Sequence, residues 1–207
     1  MRKSQFWTAP NQITLLRLIF VPFVVINILA RNFKLALLLF VLAGLSDALD
    51  GLLARWLNQR SMVGQYLDPI ADKLLLSSAF LVLSFTKQIP WTYTVLVFSR
   101  DLSITLITAV LYITTSIRDF RPSIFGKLNT GAQIGAIFFV LSSRINPLPW
   151  IGAARRGFLL ATLVLTCLSA FHYILITGHK LHASGEAGPP QPPRVERRNP
   201  RGPQPAP

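Results

Sequence analysis

The chain has 207 residues and a formal charge of +13, with 51% of its residues hydrophobic and only 14% charged. That balance is too apolar and too charge-poor for an ordinary soluble domain of this length. The basic residues scatter over helix ends and the C-terminal tail without an aromatic-interleaved patch, which argues against nucleic acid as a partner and for attraction to anionic lipid heads.

In chain order, six apolar runs approach the roughly 20 residues that cross a bilayer. They are Ile13 to Ala30, Leu35 to Leu57, Asp68 to Phe85, Trp91 to Thr115, Lys127 to Ser143 and Phe158 to Thr177. Together they predict an all-α integral membrane protein, six transmembrane helices in one domain over residues 1–182. Arg2 and Lys3 precede the first run as they would in a secretory signal, but Arg17 interrupts the apolar stretch, so the run reads as a retained helix. Beyond it all, Ala183 to Pro207 holds eight prolines in 25 residues with Arg194, Arg197, Arg198 and Arg201. Such a segment cannot bury a core, and residues 183–207 are expected to be a disordered cytoplasmic tail. The single Cys167 excludes an intrachain disulfide framework and reads as a packing residue. His172, His179 and His182 form no metal-binding pattern.

Orientation follows from the short loops. Arg2, Lys3, Arg60, Arg118, Arg121, Lys127, Lys180 and the tail fall on one side. Arg31, Lys34, Lys87, Arg144, Arg155 and Arg156 fall on the other, the last two in the connection before the sixth helix. The first set is richer, so both termini are expected to be cytoplasmic.

The acids are more informative. Only eight Asp and Glu occur in the chain, and Asp47, Asp50, Asp68 and Asp72 lie within 26 residues, inside or beside apolar runs. An unpaired carboxylate there costs several kcal/mol. The apolar stretch Leu35 to Ser46 is too short to span alone, so the second helix must continue through Asp47 and Asp50, which share a face three residues apart. The third helix is expected to begin at Asp68-Pro69, with Asp72 one turn on. Two pairs of carboxylates then face each other across a hairpin at the cytoplasmic side. Four such charges would repel unless cations sat among them, and hard oxygen ligands suit two divalent ions, Mg²⁺ or Mn²⁺. Singly the residues have plainer readings: Asp68-Pro69 is a good helix start and Asp50-Gly51 a good turn. Those readings leave Asp47 and Asp72 unexplained. Gly51 and Ala54 keep the neighbouring helix face small, and Arg55 offers a fork for a phosphate.

Polar residues on other helices point the same way. Asn11, Thr14 and Arg17 recur every three residues on the first helix, as Lys127, Thr130 and Gln133 do on the fifth, and such stripes should face inward in hydrocarbon. Arg100-Asp101 lies within the fourth helix, either as a buried ion pair or as an acceptor-phosphate site. A divalent-cation transporter is the alternative from another class. It would need polar residues continuing to the outer face, where the helices are nearly all apolar.

Read as a string, Asp47-Ala-Leu-Asp50-Gly51-Leu-Leu-Ala54-Arg55, then Gly64, Asp68 and Asp72 at their spacings, resembles the signature of the CDP-alcohol phosphotransferase family. The resemblance covers about residues 10 to 178. It implies six transmembrane helices, commonly a homodimer, and a reaction in which an alcohol displaces CMP from a CDP-linked donor such as CDP-diacylglycerol. By the same resemblance Asp47, Asp50 and Asp68 chiefly hold metal, while Asp72 binds metal and acts as general base. Asp47, Gly51, Ala54, Arg55 and Gly64, with Asn11 and Thr14, belong to the CDP pocket. Arg17, Arg100, Arg121, Lys127 and Thr130 belong to the acceptor side. Pro10-Asn11 with Thr14 and Arg17 is similar to the branch that uses glycerol-phosphate acceptors. Ser99-Arg100-Asp101, Arg121-Pro-Ser and Lys127-Leu-Asn129-Thr130 resemble CMP-forming cardiolipin synthases, which use phosphatidylglycerol, and also phosphatidylglycerophosphate synthases, which use glycerol 3-phosphate.

Overall fold

A computed structural model describes the backbone of residues 9–56, 62–114 and 124–186, and the side chains of 14–46, 70–106, 124 and 126–171. Among these residues there are six helices: α1 (Ala9–Leu29), α2 (Phe33–Trp56), α3 (Met62–Phe85), α4 (Trp91–Thr114), α5 (Ile124–Ile145) and α6 (Pro149–Glu186). The chain divides after Tyr173 into two units, the first holding α1 to α5 and α6 as far as that residue, the second beginning at Ile174.

Local chemistry sets the helix ends. At the close of α1, Arg31 takes the left-handed conformation (φ 58°), and the Asn32 and Arg31 amides donate back to the carbonyls of Asn27 and Ile28. At the close of α3, Lys87 (φ 57°) and Gln88 repeat the same arrangement on Ser84 and Leu83. This is the Schellman stop, here made by two cationic residues where glycine is usual. Asn32 then turns round to accept the Leu35 amide at 3.4 Å and start α2. Pro149 opens α6, where its missing N–H is no loss.

The core joins α1, α2, α3 and α5 through residues at helical spacing: Val24 and Ile28, Ala36, Phe40 and Ala43, Leu76, Ala79, Phe80 and Leu83, and Ala136, Ile137, Val140 and Leu141. Alanines 36, 43, 79 and 136 are essentially buried, which lets the helix backbones approach closely. Thr94 of α4 hydrogen-bonds Ser84 and donates to the Phe80 carbonyl at 3.1 Å, tying α4 to α3. Phe158 of α6 stacks on Phe139 of α5, and a Cβ on Gly135 would lie 2.3 Å from the Phe158 ring.

Every helix also turns large apolar side chains outward, among them Ile19, Leu38, Ile70, Leu106, Ile134 and Leu160. Apolar surface of that extent suits lipid, not water. Among the described residues Pro149–Phe171 is long and apolar enough by itself to cross a bilayer, while Thr14–Leu29 and Phe33–Ser46 are shorter apolar segments.

Three sequence expectations change. Helix α3 starts at Met62, so Asp68-Pro69 lies inside a helix and does not begin one. Helix α6 starts at Pro149, nine residues before Phe158, so Arg155 and Arg156 are helical and not in the connection. The same helix runs on to Glu186, so residues 183–186 continue it.

Candidate active site

The two members of the α1 stripe whose side chains are described, Thr14 and Arg17, face inward as the spacing requires, and both are fully buried. Arg17 reaches α3, where its Nη1 donates to Asp72 Oδ1 at 2.6 Å. The guanidinium is 0% exposed and the carboxylate 42%, so the ion pair has a protein side and an open side. Both residues line a cavity of about 460 Å³. Thr130 of α5 lines it too, while the remaining walls are Phe40, Val41, Ala43, Gly44 and Leu45 of α2, Leu75 and Leu76 of α3, and Ile134, Gly135 and Phe138 of α5. A charged pair and a hydroxyl therefore sit against a space that is otherwise apolar. Helix α2 enters the cavity wall through Gly44 and Leu45, about one turn before Asp47.

Helix α5 distributes its polar residues less simply than a three-residue stripe suggests. Gln133 is buried, Thr130 is half-buried and donates to the Gly126 carbonyl at 3.2 Å, and Lys127 is exposed, against the inward expectation. The buried polar residue of that turn is Asn129, whose Oδ1 accepts from Thr166 of α6 at 3.1 Å.

A second polar cluster joins α3, α4 and α6. The Arg100 guanidinium, 9% exposed, donates to Asp101 at 2.6 Å and to the Ser169 hydroxyl at 2.6 Å. Asp101 also pairs with Lys73, the residue after Asp72. Helix α5 closes against this group at Gly126, where a Cβ would stand 3.2 Å from Arg100 Nη2. Arg100 and Asp101 are thus an ion pair, as one of the two sequence readings had it, and one with partners on two further helices. Lys73, Thr166 and Ser169 were missed. For Thr166 and Ser169 a signal was available on α6, where Thr162, Thr166 and Ser169 recur at spacings of four and three within an apolar run.

The other candidates fall outside what the structure describes. Asn11, Asp47, Asp50, Gly51, Ala54, Arg55, Gly64 and Asp68 lie on α1, α2 and α3 with side chains outside the described set, and Arg121 lies outside the described residues. No group of three or more metal-binding side chains occurs among the described residues.

Comparison with known proteins adds an independent line. The chain is 37% identical over 146 residues to the human "Cardiolipin synthase (CMP-forming)", an alignment covering 62% of this chain and 48% of that protein. It is 33% identical over 147 residues to the "CDP-diacylglycerol--glycerol-3-phosphate 3-phosphatidyltransferase" of Bacillus subtilis, covering 64% and 75%. It is 33% identical over 171 residues to a "Probable phosphatidylglycerophosphate synthase" of Mycobacterium tuberculosis, covering 79% and 78%. The chain spans about half the length of its human relative. The family model described as CDP-alcohol phosphatidyltransferase matches residues 7–177, nearly the whole helical region, and the chain belongs to that family.

Proposed function

We propose that the protein is a membrane phosphatidyltransferase of phospholipid biosynthesis that moves the phosphatidyl group of CDP-diacylglycerol onto the hydroxyl of phosphatidylglycerol, releasing CMP. The observation that supports it best is Asp72, held by Arg17 at the polar end of a cavity whose other walls are apolar. A carboxylate able to take a proton lies where an acyl chain has room. The family is membrane-embedded and generally uses divalent metals. On this reading all six helices span the bilayer, both termini and the site face the cytoplasm, residues 1–182 form the membrane domain ahead of a tail, and the protein works as a homodimer.

The donor set fits hard divalent cations, being four carboxylates on two helices with Asp72 partly exposed at the cavity. Asp47, Asp50, Asp68 and Asp72 would hold two such ions, Mg²⁺ or Mn²⁺. Bound there, the ions offset the negative charge of the diphosphate and of the departing CMP.

The protein's own residues do the rest. Asn11, Thr14, Gly51, Ala54, Arg55 and Gly64 receive the CDP group. The acyl chains lie along Phe40, Val41, Leu45, Ile134 and Phe138. Arg100, Arg121, Lys127 and Thr130 meet the acceptor, and Arg17 orients Asp72 beside it. Asp72 takes the proton of the acceptor hydroxyl; that oxygen attacks the phosphatidyl phosphorus in line as the bond to CMP breaks. Glycerol 3-phosphate is the second acceptor reading, favoured by the Bacillus subtilis relative, most of whose length the chain covers. Incubating the purified protein and CDP-diacylglycerol with each acceptor and identifying the lipid product decides between them. Cardiolipin supports the first reading, phosphatidylglycerophosphate the second, and no product from either rejects both.

A further inference from the structure

The end of the first unit away from Asp72 carries six cations and, among the described residues, no carboxylate. Arg31, Lys34, Lys87 and Arg156 are exposed there, with Arg144 in the last turn of α5 and Arg155 in the second turn of α6. The described acids are remote: Asp72 lies about 20 Å along α3 from this end, and Asp101 about 15 Å along α4. The ion pairs of the described residues use Arg17, Lys73 and Arg100, and none of these six.

Three of the cations have a local reason to be where they are. Arg31 and Lys87 close α1 and α3, and Arg144 ends α5, where the helix dipole favours positive charge. Arg155 and Arg156 have no such reason, since they follow a helix start. Arg155 is half-buried and its Nη2 donates to the Gln88 carbonyl at 2.7 Å, just past the end of α3. Cations gathered at one end of the helices without a counter-charge among the described residues suit an anion.

The surroundings say which kind. Trp91 and Trp150, in the first turns of α4 and α6, are both more than half exposed at this end, as are Phe85 and, nearly so, Leu148. Exposed tryptophans at the level of the cations mark a membrane–water interface, where a phosphate arrives attached to apolar chains. We propose that this end is a binding surface for anionic phospholipids, whose phosphodiesters meet the cations at the helix ends, Arg144 and Arg156 among them. The site is separate from the chemistry at Asp72 and does not depend on it.

Full-length protein reconstituted in nanodiscs of phosphatidylcholine, with or without phosphatidylserine, tests this, since phosphatidylserine is neither donor nor acceptor in the proposed reaction. Thermal unfolding is expected at higher temperature with phosphatidylserine present. The Arg144→Gln/Arg156→Gln variant removes two side chains with no hydrogen bond among the described residues. It should unfold like the parent in phosphatidylcholine and lose at least half of the phosphatidylserine increment. A variant that keeps the full increment, or a parent protein that shows none, overturns the proposal. Inorganic phosphate reproducing the increment in phosphatidylcholine discs also overturns it, because the site would then serve a free anion.

Discussion

Arg17 and Asp72 stand 55 residues apart in the chain and 2.6 Å apart in space, the guanidinium buried and the carboxylate reaching the cavity. Removing the guanidinium takes a buried opposite charge away from the Asp72 carboxylate. Arg17→Ala is expected to destabilise the protein by about 1–3 kcal/mol, the full cost of a broken buried pair being reduced because Asp72 is partly exposed. Turnover should fall with it. Arg17→Lys should recover most of the stability but little of the turnover, because an ammonium cannot reproduce the guanidinium's fixed geometry. Thermal unfolding and steady-state rates in one detergent check both; full activity in Arg17→Ala would remove Arg17 from the site.

Gly44 lines the cavity, and a Cβ built on it meets nothing within 4 Å. Gly44→Leu therefore starts its side chain in open space beside the cavity and adds helix propensity of about 0.8 kcal/mol. The expected result is an unchanged or slightly raised unfolding temperature with KM for CDP-diacylglycerol up by about tenfold. An unchanged KM would show that the lipid chain lies elsewhere.

Ser169 and Gly126 hold Arg100 from two sides. Ser169→Ala removes a hydrogen bond to a charged group, worth about 1.5–3 kcal/mol where it is fully expressed. The acceptor KM should rise several-fold while the CDP-diacylglycerol KM stays put. Equal changes in both would make the contact structural only.

These contacts also show where sequence reasoning stops. The α1 stripe was legible because Thr14 and Arg17 stand in an otherwise apolar run and only one face of a helix could bury them. The helix content was legible for the same reason, apolar length. What could not be read was partnership: nothing in spacing says that Arg17 meets Asp72, or that Ser169 meets Arg100, since these pairs depend on how helices far apart in sequence cross. The start of α3 was misplaced because Asp-Pro is a strong start signal locally, yet proline is tolerated inside helices whose neighbours satisfy the freed carbonyl. On α5 a three-residue period followed Lys127, Thr130 and Gln133, while the buried face runs through Asn129, Gln133, Ala136 and Val140.

Where α5 and α6 touch, Gly135 leaves room for the Phe158 ring that stacks on Phe139. Gly135→Ala should force the ring aside and cost about 1–3 kcal/mol. In Phe158→Ala the same alanine should be nearly harmless, so the two changes should be strongly non-additive. Unfolding of the two single variants and the double variant measures this; simple additivity would mean the helices adjust freely at this point.

The most direct test of the account is release of CMP from CDP-diacylglycerol in the presence of Mg²⁺ or Mn²⁺ and phosphatidylglycerol, comparing the parent protein with Asp72→Asn. The parent should release CMP, and chelation with EDTA should stop it. Asp72→Asn should still fold, unfolding at a somewhat lower temperature because the buried Arg17 loses its charged partner, and should lose activity by about 10²- to 10⁴-fold, far more than that loss of stability explains. Asp72→Asn turning over at the parent's rate would contradict the assignment of Asp72 as the base.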